Sequence, residues 1–424
     1  MVNDKLTRPY AWVPSLYLAE ALPYVAVMVI ATTMYKRMGL SNTELAFYTS
    51  WLYLPWVIKP LWSPFIASIK TERWWVLVMQ LLVGAGFAGV ALTLPTAAWL
   101  RGTLAFFWLL AFASATHDIA ADGLYILGLD THDQSLYVGI RSTFYRIGTI
   151  LGQGLLVMLA GWLEGRHSIP AAWSITFLVL AGTMLALCLW HTVSLPKVAA
   201  KSRQTTGFGN DFWLALRTFF TKPHIVTALL FMLLFRFPEG QLVKIANPFL
   251  LDAVENGGLG LSTEAVGFVY GTVGIIGLTI GGLLGGWCVS RHGLKRWLWP
   301  MVAAISLPDL VYVYLASVAD SSFFVVNTCV FIEQFGYGFG FTAYMLYLVY
   351  FSQGERSTAV FSICTAFQAL GMMLPGMIAG WLADTLGYTR FFWWVVACCA
   401  VTFFVSAFIK IDPAYGRKAD PQQT

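Results

Sequence analysis

Apolar residues run through this chain in blocks of about 20, the length a helix needs to cross a bilayer core. Charged residues, glycines and prolines punctuate the pattern into blocks near 11–34, 44–66, 74–94, 103–128, 136–162, 170–192, 224–250, 263–288, 296–318, 322–351, 357–382 and 390–410. One longer polar break, "KVAAKSRQTTGFGNDFWLALRTFFTKP", separates the sixth block from the seventh. The pattern predicts an all-α polytopic membrane protein with 12 transmembrane helices in two six-helix halves. The halves are expected at 1–192 and 223–410, joined by a central loop at 193–222 and followed by a tail at 411–424.

Composition agrees with lipid as the surrounding solvent. The chain is 58% hydrophobic and only 11% charged, against about 25% charged in soluble domains, so polar groups could not cover a water-facing surface. No cleavable signal is evident in "MVNDKLTRPY" and the long apolar run after it. The six cysteines all sit in apolar runs without CxxC spacing, so neither a disulfide framework, a metal site nor a cofactor is expected.

Charge placement gives an orientation. With the N-terminus in the cytoplasm, 16 Lys and Arg residues fall on the inner side, and only Lys36, Arg37, Arg101, Arg166 and Arg390 fall outside. That bias satisfies the positive-inside rule and puts both termini and the central loop in the cytoplasm. It also explains the basic central loop without a nucleic-acid partner.

The chain repeats itself. "MGLSNTELAFYTS" (38–50) matches "LGLSTEAVGFVYG" (259–271), and "LAGWLEG" (159–165) matches "IAGWLADTLG" (378–387). Glu20 falls on Glu239 and Gly152 on Gly371 at the same spacing. Two parallel six-helix halves are the organisation of major facilitator transporters, which the chain resembles. "GGWCVSRHGLKRW" (285–297) resembles that superfamily's loop motif, with Ser290 where the motif usually has Asp. Ser41 followed three residues later by Glu44 predicts a capping box at the start of the second helix.

Ionisable residues inside spans are costly and are candidates for function by default. Helix 1 carries Glu20 and helix 4 carries His117, Asp118 and Asp122; helix 7 carries Arg236, Glu239 and Lys244. Helix 10 carries Glu333 beside Gln334, while helices 2 and 5 add Lys59, Arg141 and Arg146. Asp118 and Asp122, four residues apart, share one helix face. By the fold resemblance, helices 1, 4, 7 and 10 line a central cavity, and most of these charges lie on them. Arg236 and Glu239 flank Pro238, which is expected to interrupt helix 7 and to let one of the two face the cavity while the other contacts helix 1 or 4. Asp309, on helix 9, follows Pro308 and suits a backbone-satisfying role. Gly336, Gly338 and Gly340 in "GYGFG" suit either close helix packing or a gating bend.

Five stretches together resemble the AmpG-type muropeptide permeases, relatives of the acetyl-coenzyme A transporters: "LAEALPY" (18–24), "YLPWVIKPLWSPF" (53–65), "ATHDIAADG" (115–123), "FRFPEGQ" (235–241) and "EQFGYGFGFTAYM" (333–345). The chain departs from that pattern at Ala21, Ala67, His117 and Gly123. The resemblance implies import of anhydromuropeptides with protons. Asp118, Asp122, Glu20 and Glu239 are then candidates for the proton. Lys59, Arg236, Lys244, Glu333, Gln334, Tyr344 and His117 are candidates for substrate. Arg141, Arg146, Pro238 and the three glycines of helix 10 are candidates for gating or structure. The expected partners are a small sugar-peptide or organic anion, protons and membrane lipid, with the protein a monomer in a bacterial inner membrane. Another organic anion (a siderophore, an acyl-CoA or a peptide) is the alternative cargo. An integral membrane enzyme or a receptor fits less well, because the six histidines are scattered and the tail is too short for a signalling domain.

Overall fold

The computed structural model describes residues 8–197, 208–318, 322–354 and 357–416. Six of the 16 Lys and Arg residues counted on the inner side, Lys5, Lys201, Arg203, Arg356, Arg417 and Lys418, lie outside the described residues. The described residues are helical throughout their ordered elements and contain no strand.

The spans are α1 (Pro9–Arg37), α2 in two pieces (Asn42–Trp51 and Leu54–Ile69), α3 (Glu72–Thr93), α4 (Trp99–Gly128), α5 (131–164) and α6 (Ile169–Ser194). The second set comprises α7 (Ile225–Leu251), α8 (Thr263–His292), α9 (Leu294–Val318), α10 (Phe323–Ser352), α11 (Ser357–Leu386) and α12 (Tyr388–Phe408). Ten of these are long and apolar enough to cross a membrane by length and composition. The broken α2 and the 30-residue α10 complete the twelve.

Several local features differ from an uninterrupted-helix reading. α2 breaks at Leu52 and Tyr53, just before Pro55, where the missing proline N–H and its ring disfavour continuation. α7 breaks at Phe235 and Arg236, and Pro238 opens its second piece, Phe237–Leu251. Three spans contain π-helical stretches: Ala26–Ile30 in α1, Ile150–Leu156 in α5 and Val269–Gly274 in α8. The central segment is not all loop, for it holds a helix at Phe208–Phe220 whose Phe219 is fully buried and stacks on Phe367 at 5.5 Å. α10 runs without a break. A Cβ at Gly336, Gly338 or Gly340 would lie 2.1–2.4 Å from the carbonyl oxygens of Ala304, Leu278 and Met301 respectively. These glycines let α10 close on α8 and α9.

Contacts divide the chain into two compact units that do not coincide with the sequence halves. Unit 1 comprises 1–39, 58–212 and 262–271; unit 2 comprises 40–57, 213–261 and 272–424. The core of unit 1 includes Trp12, Tyr17, Ala120, Leu124 and Leu195. That of unit 2 is aromatic-rich, with Phe219, Phe231, Phe235, Tyr344 and Tyr347. All six cysteines are buried and free. Among the described residues no cluster of His, Cys, Asp or Glu is grouped to hold a metal ion.

Candidate functional site

In unit 1 the intramembrane charges form one cluster. Lys59 of α2 makes a salt bridge to Asp118 Oδ2, and Arg141 of α5 pairs with Asp122 Oδ1 at 2.7 Å. The Tyr17 hydroxyl of α1 donates to the same Asp122 oxygen at 3.3 Å, and the Arg141 guanidinium lies over the Tyr17 ring, 4.4 Å from its centroid. The four paired side chains keep between 21% and 40% of their surface accessible, so they border space that water or solute can reach. Glu20 of α1 is 7% exposed, and its carboxyl comes within side-chain hydrogen-bonding reach of Asp118. Close approach of α5 to α1 depends on Gly148, where a Cβ would lie 2.7 Å from that of Ala21 and 3.1 Å from the Leu18 carbonyl oxygen. The two aspartates each have a separate cation.

His117 belongs to a different construction. Although it adjoins Asp118 in sequence, the turn of the helix carries its ring toward α3 and α6. Gln80 Nε2 donates to His117 Nε2 (3.0 Å), and Gln80 Oε1 accepts from His191 Nδ1 (2.8 Å). Ser15 Oγ lies 2.9 Å from His191 Nε2. Gln80, His117 and His191 are fully buried. This chain of side chains ties α1, α3, α4 and α6 together inside the apolar core, where each polar group needs a partner. Sequence reading found only His117. The signal for the others was a lone Gln in "VLVMQLLVG" and a lone His in "LCLWHTV", each a polar residue in an otherwise apolar run.

In unit 2 the break in α7 organises the site. Arg236 and Glu239 do not separate toward different neighbours; they pair with each other through Nε–Oε2 at 2.9 Å and a second bond at 2.6 Å. Three residues place both side chains on one side of the helix start, and the two-point fork of the guanidinium matches the carboxylate. Arg236 also donates to the Tyr337 hydroxyl at 2.8 Å and lies 4.7 Å from the Phe341 ring centroid. The carbonyls freed by the break are taken up by hydroxyls: Tyr344 donates to Met232 O (2.7 Å) and Thr402 to Phe235 O (2.9 Å). Tyr344, a substrate candidate by sequence, is fully buried with its hydroxyl engaged in that way.

Lys244, one to two turns further along α7, is 1% exposed and donates to Thr49 Oγ1 of α2 at 2.9 Å, with its ammonium 5.1 Å from the Tyr53 ring centroid. No carboxylate lies within salt-bridge distance of it among the described residues. Glu333 accepts from Gln334 (3.0 Å) and from the Tyr312 hydroxyl (3.3 Å), and Asp309 accepts from the Cys399 thiol at 3.4 Å. Asp309 therefore meets a side chain of α12 rather than a freed backbone group. Arg146 lies on α5, five residues beyond Arg141.

The geometry is that of a helical carrier with charged and aromatic side chains at mid-span in both units, and comparison with known proteins places it. A model described as Major Facilitator Superfamily matches residues 15–374. The chain belongs to the Major Facilitator Superfamily. It is 26% identical over 351 residues to the anhydromuropeptide permease of Escherichia coli (strain K12), covering 81% of this chain and 68% of that protein. It is 23% identical over 399 residues to the putative transporter AmpG 4 of Rickettsia conorii, covering 91% and 93%. Among solved structures, the nucleoside transporter NupG superposes with a TM-score of 0.71 at 16% identity, covering 95% of this chain and 99% of that one. The D-xylose-proton symporter superposes with a TM-score of 0.69 at 13% identity, covering 97% and 99%. The AmpG-type resemblance and the twelve-helix facilitator fold are thus both found, and the chain is a multi-pass membrane transporter rather than an enzyme.

Proposed function

We propose that this transporter imports an anhydromuropeptide-like sugar-peptide together with protons, by alternating access of the halves 1–192 and 223–410. It would act as a monomer in a bacterial inner membrane with both termini in the cytoplasm. The observation that carries the reading is the charged cluster among the spans of unit 1, in a chain whose curated relatives include an anhydromuropeptide permease; unit 2 separately holds an aromatic-flanked arginine. A sugar-peptide offers a carboxylate for Arg236 and apolar ring faces for Tyr337 and Phe341, all within unit 2. The carboxylates at mid-span supply groups that can exist charged or neutral, which proton coupling requires. In proteoliposomes, an imposed inward proton gradient should drive accumulation of radiolabelled anhydromuropeptide. Absence of uptake, with or without a gradient, would remove this substrate.

Lys244 favours a second reading. An ammonium buried against a hydroxyl and an aromatic face, with no carboxylate in salt-bridge distance among the described residues, suits an anionic ligand group, so another organic anion would be the cargo if anhydromuropeptide fails in that assay.

A further inference from the structure

The cluster in unit 1 contains three carboxylates, and among the described residues its two salt bridges serve only two of them. Lys59 serves Asp118 and Arg141 serves Asp122. Glu20 is the third. It is 7% exposed, its Oε2 has no hydrogen-bond partner, and its carboxyl sits against that of Asp118. Two ionised carboxylates are acceptors only and cannot bond to each other, whereas a protonated carboxyl donates to a carboxylate. An uncompensated buried charge is strongly destabilising. Both arguments call for one added positive charge at this contact, and a shared proton fits it without ligands.

We propose that Glu20 is the residue that binds and releases the coupled proton, donating it in a hydrogen bond to Asp118, while Asp118 and Asp122 remain ionised on Lys59 and Arg141. The inference rests on the proton-driven reading above and names the acid that reading needs. The balance is simple: the Glu20 carboxylate accepts one proton from water on one side and returns it to water on the other. With the proton on, the cluster is neutral and can be enclosed. With it off, Glu20 and Asp118 repel each other and the contact must open to water.

The groups that interact with Glu20 are Tyr17, Lys59, Asp118, Asp122, Arg141 and Tyr145, and Tyr24 and Arg146 lie nearby on the same helices. Tyr17 and Tyr24 lie on α1, Lys59 on α2, and Asp118 and Asp122 on α4; Arg141, Tyr145 and Arg146 lie on α5. His117 is engaged by Gln80. Arg146 is the group most able to defeat the proposal, since a second arginine held against Glu20 would keep it ionised.

Infrared pH-difference spectra of the purified protein in lipid nanodiscs read the C=O stretch of a protonated carboxyl directly, without any substrate. Wild type and Asp122→Asn should both show a pH-dependent band that Glu20→Gln lacks. A band unchanged in Glu20→Gln, or abolished by Asp122→Asn, overturns the assignment. So does a Glu20-dependent band that appears only after Arg146→Gln. If Glu20→Gln does not fold, Glu20→Asp should retain a band with a shifted midpoint, and an unshifted one overturns the proposal.

Transport then tests coupling. With one proton per cycle, a gradient of one pH unit sustains about tenfold accumulation of radiolabelled anhydromuropeptide. Glu20→Gln should reduce this to about onefold while retaining exchange of labelled for unlabelled substrate. A wild type that accumulates substrate alongside an equally active Glu20→Gln overturns the role of Glu20 alone. A wild type that shows the band yet accumulates nothing overturns proton-driven import and the coupling role with it. Accumulation driven by a sodium gradient without a pH gradient also overturns the proposal.

Discussion

Replacing Gly380 with alanine should loosen the contact between α11 and the first piece of α2. The glycine has no room for a side chain: an added Cβ would lie 1.9 Å from the Asn42 carbonyl oxygen and 2.7 Å from the Thr43 nitrogen. Both are backbone atoms and cannot swing aside. One helix must retreat by about 1.5 Å to regain an ordinary 3.4 Å contact. That movement acts on Asp384, one turn along, which accepts from Thr43 N at 2.8 Å and Thr43 Oγ1 at 2.6 Å. Overpacking typically costs 1–3 kcal/mol, and each hydrogen bond to a charged group contributes about 1.5–3 kcal/mol. Partial relaxation brings the net loss to about 2–3 kcal/mol, which shifts the closed arrangement toward an open one by about 30- to 150-fold.

The readout is thiol accessibility at Ser50, which is fully buried and lies 2.7 Å from where a Gly376 Cβ would stand, one turn from Gly380. On a background lacking the six native cysteines, Ser50→Cys should react slowly with a membrane-impermeant maleimide. Adding Gly380→Ala should raise the rate by that factor. Gly182→Ala, with nothing within 4 Å of its Cβ, serves as the control. Equal rates in the Gly380 and Gly182 variants would refute the steric argument, as would a faster rate accompanied by loss of monodispersity.

Four further outcomes follow from the same geometry. Tyr344→Phe should lower stability by about 1–3 kcal/mol, because the Met232 carbonyl at the α7 break loses its donor; thermal unfolding in detergent checks this, and substrate exchange should persist. Gln80→Leu removes the centre of the Ser15–His191–Gln80–His117 chain, taking the partner of His117 Nε2 and of His191 Nδ1 and leaving His191 bonded to Ser15, so a similar loss is expected, while Gln80→Glu should be worse than Gln80→Asn at neutral pH. Arg236→Lys keeps the charge but not the fork that grips Glu239 at two points; uptake should fall at least about tenfold in initial-rate assays with expression unchanged. Lys244→Met, close in volume and neutral, should fold normally and weaken binding of an anionic probe more than that of its neutral ester in competition assays.

The fold was legible because it is dictated by lengths and counts. Apolar blocks of bilayer length, interrupted by polar breaks, leave little choice of architecture. The capping box at Ser41 and Glu44 was legible for a similar reason, being set within four residues, and the structure contains it with both reciprocal bonds. The site was legible as a set of residues but not as a set of pairs. Spacing placed Asp118 and Asp122 on one face, yet Lys59 and Arg141 come from other helices, and no local rule says which cation meets which acid. Arg236 and Glu239 show the opposite error: the sequence reading sent them to different neighbours, whereas three residues of separation at a helix start were enough to join them. His117 shows the third. Adjacent residues on a helix point about 100° apart, so membership of a charged stretch did not imply membership of its cluster.

The two pairs of repeated motifs acquire a physical reason once the contacts are known. "GLS" at 39–41 and 260–262 starts α2 and α8, and "GWL" at 161–163 and 380–382 lies near the ends of α5 and α11. In unit 2, Gly380 faces Asn42 and Thr43, and Asp384 binds Thr43. In unit 1, Gly161 faces Thr263 and Glu264, where a Cβ would lie 2.3 Å from the Glu264 nitrogen, and Glu164 accepts from the Thr263 hydroxyl at 2.8 Å. Each glycine admits a helix start to backbone contact, and each nearby acid fixes the threonine of that start. The same device therefore occurs twice, and each copy joins a motif from one sequence half to a motif from the other. Residues 40–57 consequently group with unit 2 and residues 262–271 with unit 1. Glu164 additionally holds Arg37 of α1 at 2.9 Å and Trp173 of α6 at 2.8 Å, so the unit 1 acid is tied to two further helices. Across the contact itself Thr43 makes two bonds to Asp384 and Thr263 one to Glu164, so Gly161→Ala should raise the maleimide rate of a cysteine beside α8 at least as much as Gly380→Ala raises that of Ser50→Cys.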